Sequence, residues 1–378
     1  MKNNKVFQMI TVSKSVYLLK GQIEYLRERG INLYLVSSEG KELNQYSSEI
    51  LHKIQMNREI SIFKDLYSLF QLILLFIKER PYIVNAGTPK AGLLGMLAAY
   101  ITRRPHRIYT VRGLRLETVN GVKYKILYFM EKVAMYCATD IIAISESLKD
   151  RVIELNLNNK KHIEVFGNGS SNGLNIKAYS KKDNEIEQEI ANKLKGNFVI
   201  GYIGRIVKDK GIEDLIKIFK ILSNKNYDVK LLVIGSIEDG DPISKNDLNF
   251  IKQNKNVIYK DHVENPVKYY NNMDVFVFPT YREGFGNVSI EAQILGIPTI
   301  TYNVTGAKDT VKNNETGYIV RTGDYHEIAN KIEILINDLE LKNKLGKQGE
   351  EWVRDNFSSE IIWKEMVDYY NKKLKETK

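Results

Sequence analysis

Two glutamates, Glu283 and Glu291, are separated by seven residues, and Gly284, Phe285, Gly286 and Asn287 follow the first of them directly. Residues 275–278 ahead of the pair read as a fully apolar strand, and residues 288–295 read as a helix that Gly296 and Pro298 end. A strand feeding such a loop and then a helix start makes an anion site. Unpaired backbone N–H groups and the positive end of the helix dipole point the same way. Phosphate is the natural guest, yet a carboxylate stands just before the site and another one helical turn inside it. That arrangement suits a phosphate only when each carboxylate accepts hydrogen bonds from hydroxyls on the same ligand. A nucleotide joined to a sugar meets that condition, with sugar hydroxyls at one end and ribose hydroxyls at the other.

A second constellation begins where the strand over 198–203 runs into Gly204 and Arg205, with Lys208, Lys210 and Gly211 before the next helix. Glycine lets a ligand approach the backbone, arginine forks two phosphate oxygens, and lysine supplies a point charge. A diphosphate that leaves without a metal needs such cations as its charge builds. Alone, this stretch also reads as a solvent-facing basic turn. The glutamate loop follows later in the same sheet, so both strand ends can meet one ligand. The five histidines (His52, His106, His162, His262, His326) are scattered without ligand spacing, and no Asp-x-Asp motif occurs at a plausible site, so no metal and no cofactor are expected.

The elements that must position these residues alternate apolar strands with helix-length amphipathic segments, the pattern of a parallel sheet wrapped by helices. In the first half, strands are expected over 6–12, 33–37, 82–85, 107–111, 140–144 and 162–165, with helices over 17–29, 65–79, 90–101, 123–137 and 146–155. The second half places strands over 198–203, 230–234, 257–259, 275–278, 299–302 and 317–320. This predicts an α/β protein of two doubly wound, Rossmann-like domains facing each other across a cleft, with ligands at the carboxyl ends of the strands. The boundaries fall at 1–177 for the first domain, 178–196 for a polar linker and 197–357 for the second. A last helix from about 358, with Trp363, Val367 and Tyr370 at helical spacing, crosses back to the first domain.

A chain of 378 residues has room for two such domains, and 43% hydrophobic with 27% charged residues is ordinary for a soluble globular protein. No apolar run is long enough to span a bilayer, and residues 66–77 read as a buried or interfacial helix. The run 6–12 has no small-residue cleavage site after it and reads as a first strand, not a signal peptide. A single cysteine, Cys137, forms no internal disulfide and fits a reducing, cytoplasmic setting. The net charge of +10 is uneven: residues 1–180 hold 26 Lys and Arg against 15 Asp and Glu, so all of the excess lies in the first half. A basic half with Arg103, Arg104, Arg107, Arg112, Arg115, Lys123 and Lys125 close together fits an anionic bilayer surface, nucleic acid or an anionic substrate, and equally reads as a generally solvated basic surface. No recognition module for nucleic acid accompanies it.

Gly204, Arg205 and Lys210, the Glu283/Glu291 pair around Gly284-Phe285-Gly286, and Thr316-Gly317 together resemble the donor domain of the retaining glycosyltransferases of family 4, which have the GT-B fold. The first half resembles, more narrowly, the capsule and O-antigen branch of that family. The stretches that carry this likeness are Thr88-Pro89-Lys90, Tyr109-Thr110-Val111-Arg112-Gly113 and Gly169-Ser170-Ser171-Asn172-Gly173. The resemblance implies that Arg205 and Lys210 bind the donor diphosphate, Glu283 contacts the transferred sugar and Glu291 holds the ribose. It further implies that Gly204 and the backbone N–H groups of Phe285, Gly286 and Asn287 meet donor oxygens, and that the backbone at Val263 reads the base. Glu283, Arg205, Lys210 and Arg112 would carry the catalysis, and Ser13, Lys14, Lys90, Arg112 and Asn172 the acceptor.

The sequence also departs from that family. Arg112 stands where many relatives have a histidine, Asn85-Ala86-Gly87 replaces another, and Ser13-Lys14-Ser15 replaces a pair of glycines. Arginine stays protonated and cannot serve as a general base. The resemblance implies a transfer on one face of the sugar in which the leaving phosphate helps to deprotonate the acceptor, so that no enzyme base is obligatory and the replacement does not remove the chemistry. The implied activity moves a hexose or N-acetylhexosamine from a UDP-linked donor to a polyprenyl-diphosphate-linked saccharide in surface polysaccharide synthesis, at the inner face of the plasma membrane. The alternatives are a UDP-sugar epimerase of the same fold and a non-catalytic nucleotide-sugar-binding assembly partner.

Overall fold

The computed structural model describes residues 4–57, 59–179 and 186–376. Its contacts divide the chain into two units. One runs up to Gly173 and takes in the chain again from Ser359, and the other runs from Leu174 to Ser358. Of the segment expected as a linker, residues 180–185 lie outside the described residues. Its remainder includes the short helix Gln188–Leu194, which belongs to the second unit.

The first unit is a parallel sheet of β1 (Val6–Met9), β2 (Leu33–Ser37), β3 (Leu51–Lys53), β4 (Ile83–Ala86), β5 (His106–Val111), β6 (Asp140–Ala143) and β7 (Ile163–Glu164). Its order is β3-β2-β1-β4-β5-β6-β7, with Val6 opposite Leu33 on one side and Ile83 on the other. Central strands β1 and β4 are buried along their whole length, as expected of strands covered on both faces. The first strand stops at Met9, short of the expected 12, because residues 13–19 coil into a 3₁₀ turn. The helix expected over 17–29 is split at Gly21, and only Gln22–Glu28 is α-helical. The sequence reading missed β3, a three-residue edge strand.

In the second unit, β8 (Phe198–Ile203), β9 (Val229–Ile234), β10 (Val257–Lys260), β11 (Val275–Phe278), β12 (Thr299–Tyr302) and β13 (Gly317–Val320) form a parallel sheet in the order β10-β9-β8-β11-β12-β13. The order reverses between β8 and β11, which pair directly with Val275 opposite Ile200. Crevices at such reversals are where doubly wound sheets bind ligands. The two loops singled out in the sequence follow these two strands, so residues some eighty positions apart leave the sheet side by side.

The helix Ser359–Lys375 packs into the first unit, where Ile362, Met366, Val367 and Tyr370 join the core of β1, β2, β4 and β5. Its Tyr370 hydroxyl accepts from the Asn85 amide at 2.7 Å and donates to Gln8 Oε1 at 3.1 Å. Three further helices, Ile62–Glu79, Pro89–Ile101 and Gly121–Cys137, pack side by side on the same unit.

Candidate active site

At the reversal point of the second sheet, the loops after β8 and β11 are stapled together. The backbone N–H of Tyr281 donates to the Asp209 carbonyl at 2.8 Å, and Arg282 Nη2 pairs with the Asp209 carboxylate at 2.6 Å. Beside that staple, Lys210 Nζ lies 2.8 Å from Glu283 Oε2 and 3.1 Å from the Arg282 carbonyl. Lys210 is buried, and an ammonium has three N–H donors, so one donor remains for a ligand. The lysine and glutamate expected to serve different parts of a ligand are thus paired with each other.

Arg205 leaves β8 through a turn held by the Tyr202 hydroxyl, which donates to the Arg205 carbonyl at 3.0 Å. Its guanidinium is half-buried and pairs with Glu238 at 2.8 Å through Nη1. Close approach at this strand end needs glycine: a Cβ on Gly235, which ends β9, would come 1.8 Å from the Gly204 carbonyl oxygen.

Glu291 projects from the two-turn helix Asn287–Gln293, whose entry is set by Gly286 in the left-handed region at φ +94°. Its carboxylate accepts from the Tyr270 hydroxyl at 3.1 Å and is hydrogen-bonded by Tyr179. Burial raises its pKa above the usual glutamate value, while the two hydroxyls act in the opposite direction. Phe285 is buried against Phe357, with ring centroids 5.3 Å apart, so its side chain anchors the glycine loop in the core. Val263 follows edge strand β10 and is partly exposed. Gly284 and Asn287 flank this anchor on the same loop.

In the first unit no hydrogen bond or ion pair joins any two of the five residues assigned to an acceptor among the described residues. Ser13 donates to Glu42 at 2.7 Å, and Lys14 is exposed. Lys90 is buried and pairs with Asp65 at 2.7 Å. Asn172 holds the C-terminal helix in place: its Oδ1 accepts from Trp363 at 2.6 Å and Gln22 at 3.1 Å, and its Nδ2 donates to the Lys20 carbonyl at 2.9 Å. Arg112 follows β5 and lines a pocket with Gln8, Asn85, Thr110, Ser170 and Ser171. Among the described residues no group of three or more His, Cys, Asp or Glu side chains could hold a metal ion.

Two family models match this chain: that of the glycosyl transferases group 1 over residues 182–352, and that of the glycosyl transferase 4-like proteins over residues 6–145. The capsular polysaccharide biosynthesis glycosyltransferase CapM of Staphylococcus aureus is 58% identical over 377 residues, covering 100% of this chain and 99% of that protein. The chain belongs to the group 1 glycosyltransferases. A more distant relative, the UDP-Gal:alpha-D-GlcNAc-diphosphoundecaprenol alpha-1,3-galactosyltransferase of Escherichia coli, is 26% identical over 86% of this chain and 85% of its own. Among solved structures, the sucrose-phosphate synthase of Thermosynechococcus elongatus superposes with a TM-score of 0.79 at 19% identity, over 98% of both chains. Anabaena HepE in complex with UDP gives 0.78 at 17%, over 97% of this chain and 100% of that one. Both share the GT-B arrangement of two Rossmann-like parallel-sheet domains.

Three residues that pair with the candidate site escaped the sequence reading: Glu238, Tyr270 and Tyr179. Glu238 lies just past the carboxyl end of β9, and that position was the available signal. The tyrosines carry no local signal, since they reach Glu291 from a four-residue helix, Val267–Tyr270, and from the start of the segment expected as a linker.

Proposed function

We propose that the chain is a retaining glycosyltransferase of surface polysaccharide synthesis, which moves a hexose or N-acetylhexosamine from a UDP-sugar to a polyprenyl-diphosphate-linked saccharide. The observation that carries this reading is the reversal point of the second sheet, where Arg205, Lys210 and Glu283 converge from adjacent strand ends. In the proposed mechanism Arg205 and the remaining donor of Lys210 neutralise the diphosphate as it leaves. Glu283, oriented by Lys210, accepts hydrogen bonds from the transferred sugar, and Glu291, oriented by Tyr270 and Tyr179, accepts them from the ribose. Backbone groups of Gly204, Gly284, Phe285, Gly286 and Asn287 contact donor oxygens, and Val263 borders the base. The bond from the anomeric carbon to the phosphate oxygen breaks, the acceptor hydroxyl oxygen bonds to that carbon on the same face, and the departing phosphate oxygen takes the acceptor's proton, so no protein base or metal is required. CapM's part in capsular polysaccharide biosynthesis and the diphosphoundecaprenol acceptor of the Escherichia coli relative support the choice of pathway and acceptor class. UDP in the HepE complex supports the choice of nucleotide.

The first unit is proposed to receive the acceptor at the inner surface of the membrane. No described helix is long and apolar enough to cross a bilayer, yet Phe63, Leu66, Phe70, Val122 and Phe129 are all exposed. Exposed Lys64, Lys78, Lys123 and Lys125 lie on the same two helices, Ile62–Glu79 and Gly121–Cys137. An apolar face rimmed by lysines suits an anionic lipid surface.

The deciding experiment incubates purified protein with a panel of nucleotide sugars and a polyprenyl-diphosphate-linked saccharide, and reads the anomeric configuration of the product by NMR. Transfer from a UDP-sugar with retention is the expected result. Inversion, or epimerised donor with no transfer, would refute it.

A further inference from the structure

Three cations at the reversal point of the second sheet each already face a carboxylate. Lys210 pairs with Glu283 at 2.8 Å, Arg282 with Asp209 at 2.6 Å and Arg205 with Glu238 at 2.8 Å. Beside them Lys208 and Asp241 are both exposed and add one charge of each sign. These side chains therefore sum to no net charge. A nucleotide sugar brings a negative charge on each phosphate, and the backbone N–H groups of the glycine loop contribute dipoles without net charge. A cation is freed for the diphosphate only when one of the three pairs opens.

The pairs differ in what opening costs. Separating a buried pair strands a charge away from water, whereas an exposed carboxylate is taken up by solvent. Side-chain exposure is 38% for Arg205 and 36% for Glu238, against 9% and 23% for Lys210 and Glu283, and 22% and 10% for Arg282 and Asp209. The Arg205–Glu238 pair therefore opens at the least cost. Its backbone need not move. The loop that carries Glu238 is laced to the loop of Arg205: the Ile206 N–H donates to the Ser236 carbonyl at 2.8 Å, the Lys208 N–H to the Asp241 carbonyl at 3.0 Å and the Asp209 N–H to the Asp241 carboxylate at 2.9 Å. Only the glutamate side chain has to turn, and the lacing keeps it within reach of the guanidinium.

We propose that Glu238 is an exchangeable counter-ion of the donor site, which holds Arg205 while the site is empty, yields it to the diphosphate and reclaims it as UDP leaves. The exchange breaks a hydrogen bond from Arg205 Nη1 to Glu238 Oε2 and makes one to a phosphate oxygen, and the freed carboxylate is hydrated. Transfer leaves UDP with a terminal phosphate more negative than the esterified one of the donor. The product thus holds Arg205 harder than the donor does, and a carboxylate kept within reach opposes that grip. Glu238 acts through Arg205 as a positioning residue that sets nucleotide affinity and release. The inference rests on the reading that Arg205 meets the donor diphosphate.

Isothermal titration and stopped-flow dissociation on the full-length protein compare wild type, Glu238→Gln and Glu238→Asp with UDP and with uridine, which lacks the phosphates. Glu238→Gln should bind UDP about three- to fivefold more tightly, the range that an exposed ion pair spans, and release it more slowly by a similar factor. Its binding of uridine should equal that of wild type. Glu238→Asp, which keeps the charge, should stay nearer wild type than Glu238→Gln. The ligand-free melting midpoint of Glu238→Gln should match wild type, since an exposed pair adds little to stability. UDP affinity unchanged or weakened in Glu238→Gln, uridine tightened as much as UDP, or a ligand-free midpoint several degrees below wild type would each overturn the counter-ion role. Titration of wild type with UDP tests the donor reading by itself. No binding there overturns that reading and the exchange with it, whereas binding that Glu238→Gln leaves unchanged overturns the exchange alone.

Discussion

Ion pairing at the donor loops assigns different consequences to the two glutamates. Glu291 is held by two tyrosine hydroxyls, which stay in place when its carboxylate is removed. Glu291→Ala should weaken UDP-sugar binding about tenfold, roughly 1.4 kcal/mol, the size of a lost charge-assisted hydrogen bond. Isothermal titration measures it, and an unchanged dissociation constant would rule out a ribose contact. Glu283→Ala leaves the Lys210 ammonium buried without its carboxylate but free to pair with the diphosphate. It should lower kcat at least tenfold and change donor affinity less, a split that steady-state kinetics resolves. These residues were legible in the sequence because each motif is local, a loop read within twenty residues. Glu238, Tyr270 and Tyr179 were not, since their partnerships arise only when separate crossovers bring distant strand ends together. A second carboxylate illustrates the same limit in the first unit. Glu131 is buried, accepts from the Tyr109 hydroxyl at 2.8 Å, and has its pKa raised by burial from 4.5 to about 7. A carboxyl whose pKa is raised on folding contributes most below its unfolded value, and that contribution is lost as pH rises through the folded one. Wild-type stability should therefore fall between about pH 4.5 and 7 by up to roughly 3 kcal/mol from this group. Glu131→Gln should flatten that slope and melt above wild type at pH 8, as calorimetry across pH would show.

Helices Ile62–Glu79 and Gly121–Cys137 differ from ordinary surface helices in being apolar on the side away from the core. Leu72 and Phe76 of the first point inward, while Phe63 on its other side is 87% exposed. The second buries Glu131 beside Ala134, Met135 and Cys137 while Phe129 is 68% exposed. A soluble surface helix shows one apolar stripe, so a second stripe marks a partner. Burying a phenylalanine is worth about 1.5–3 kcal/mol, and each of Phe63→Asp and Phe129→Asp should reduce partition onto anionic vesicles by tenfold or more. Raising the ionic strength should weaken the wild-type protein through its lysine rim. Vesicle co-sedimentation tests both, and retention of Phe63→Asp at wild-type levels would remove this helix from the interface. Periodicity showed that a helix covers 66–77, but not which face the sheet would claim. That choice depends on the packing of Pro89–Ile101 between the two, a tertiary fact. Helix 17–29 failed for a related reason. Its apolar spacing is continuous, yet the chain breaks at Gly21, where Trp363 of the C-terminal helix lies so close that a Cβ would come to 2.7 Å of the indole.

At the scale of the whole chain, the C-terminal helix ties sequence ends to function. The first unit is built from segments on either side of the second, which is inserted between Gly173 and Ser359. The alternation of strands and helices made both sheets legible, and the period of tyrosine and tryptophan in 360–375 marked a helix with an apolar face. What periodicity could not show is that this face completes the core of β1 and β4 and sets the hydroxyl of Tyr370 between Gln8 and Asn85. Removing the helix would expose the surface under Ile362, Met366, Val367 and Tyr370, each worth about 1.5–3 kcal/mol when buried. Their sum reaches the 5–15 kcal/mol by which a whole domain is stable. A chain ending at Ser358 should therefore lose the first unit's fold while the second, whose sheet and donor loops are complete without the helix, keeps its own. Limited proteolysis with mass spectrometry should find cleavage throughout residues up to 173 and protection from 186 on. UDP should still raise the midpoint of the remaining transition, since a ligand stabilises in proportion to the logarithm of its saturation. Protection of the first unit in the truncated chain would show that the helix caps a core already sufficient. Loss of both units together would show that the two fold as one.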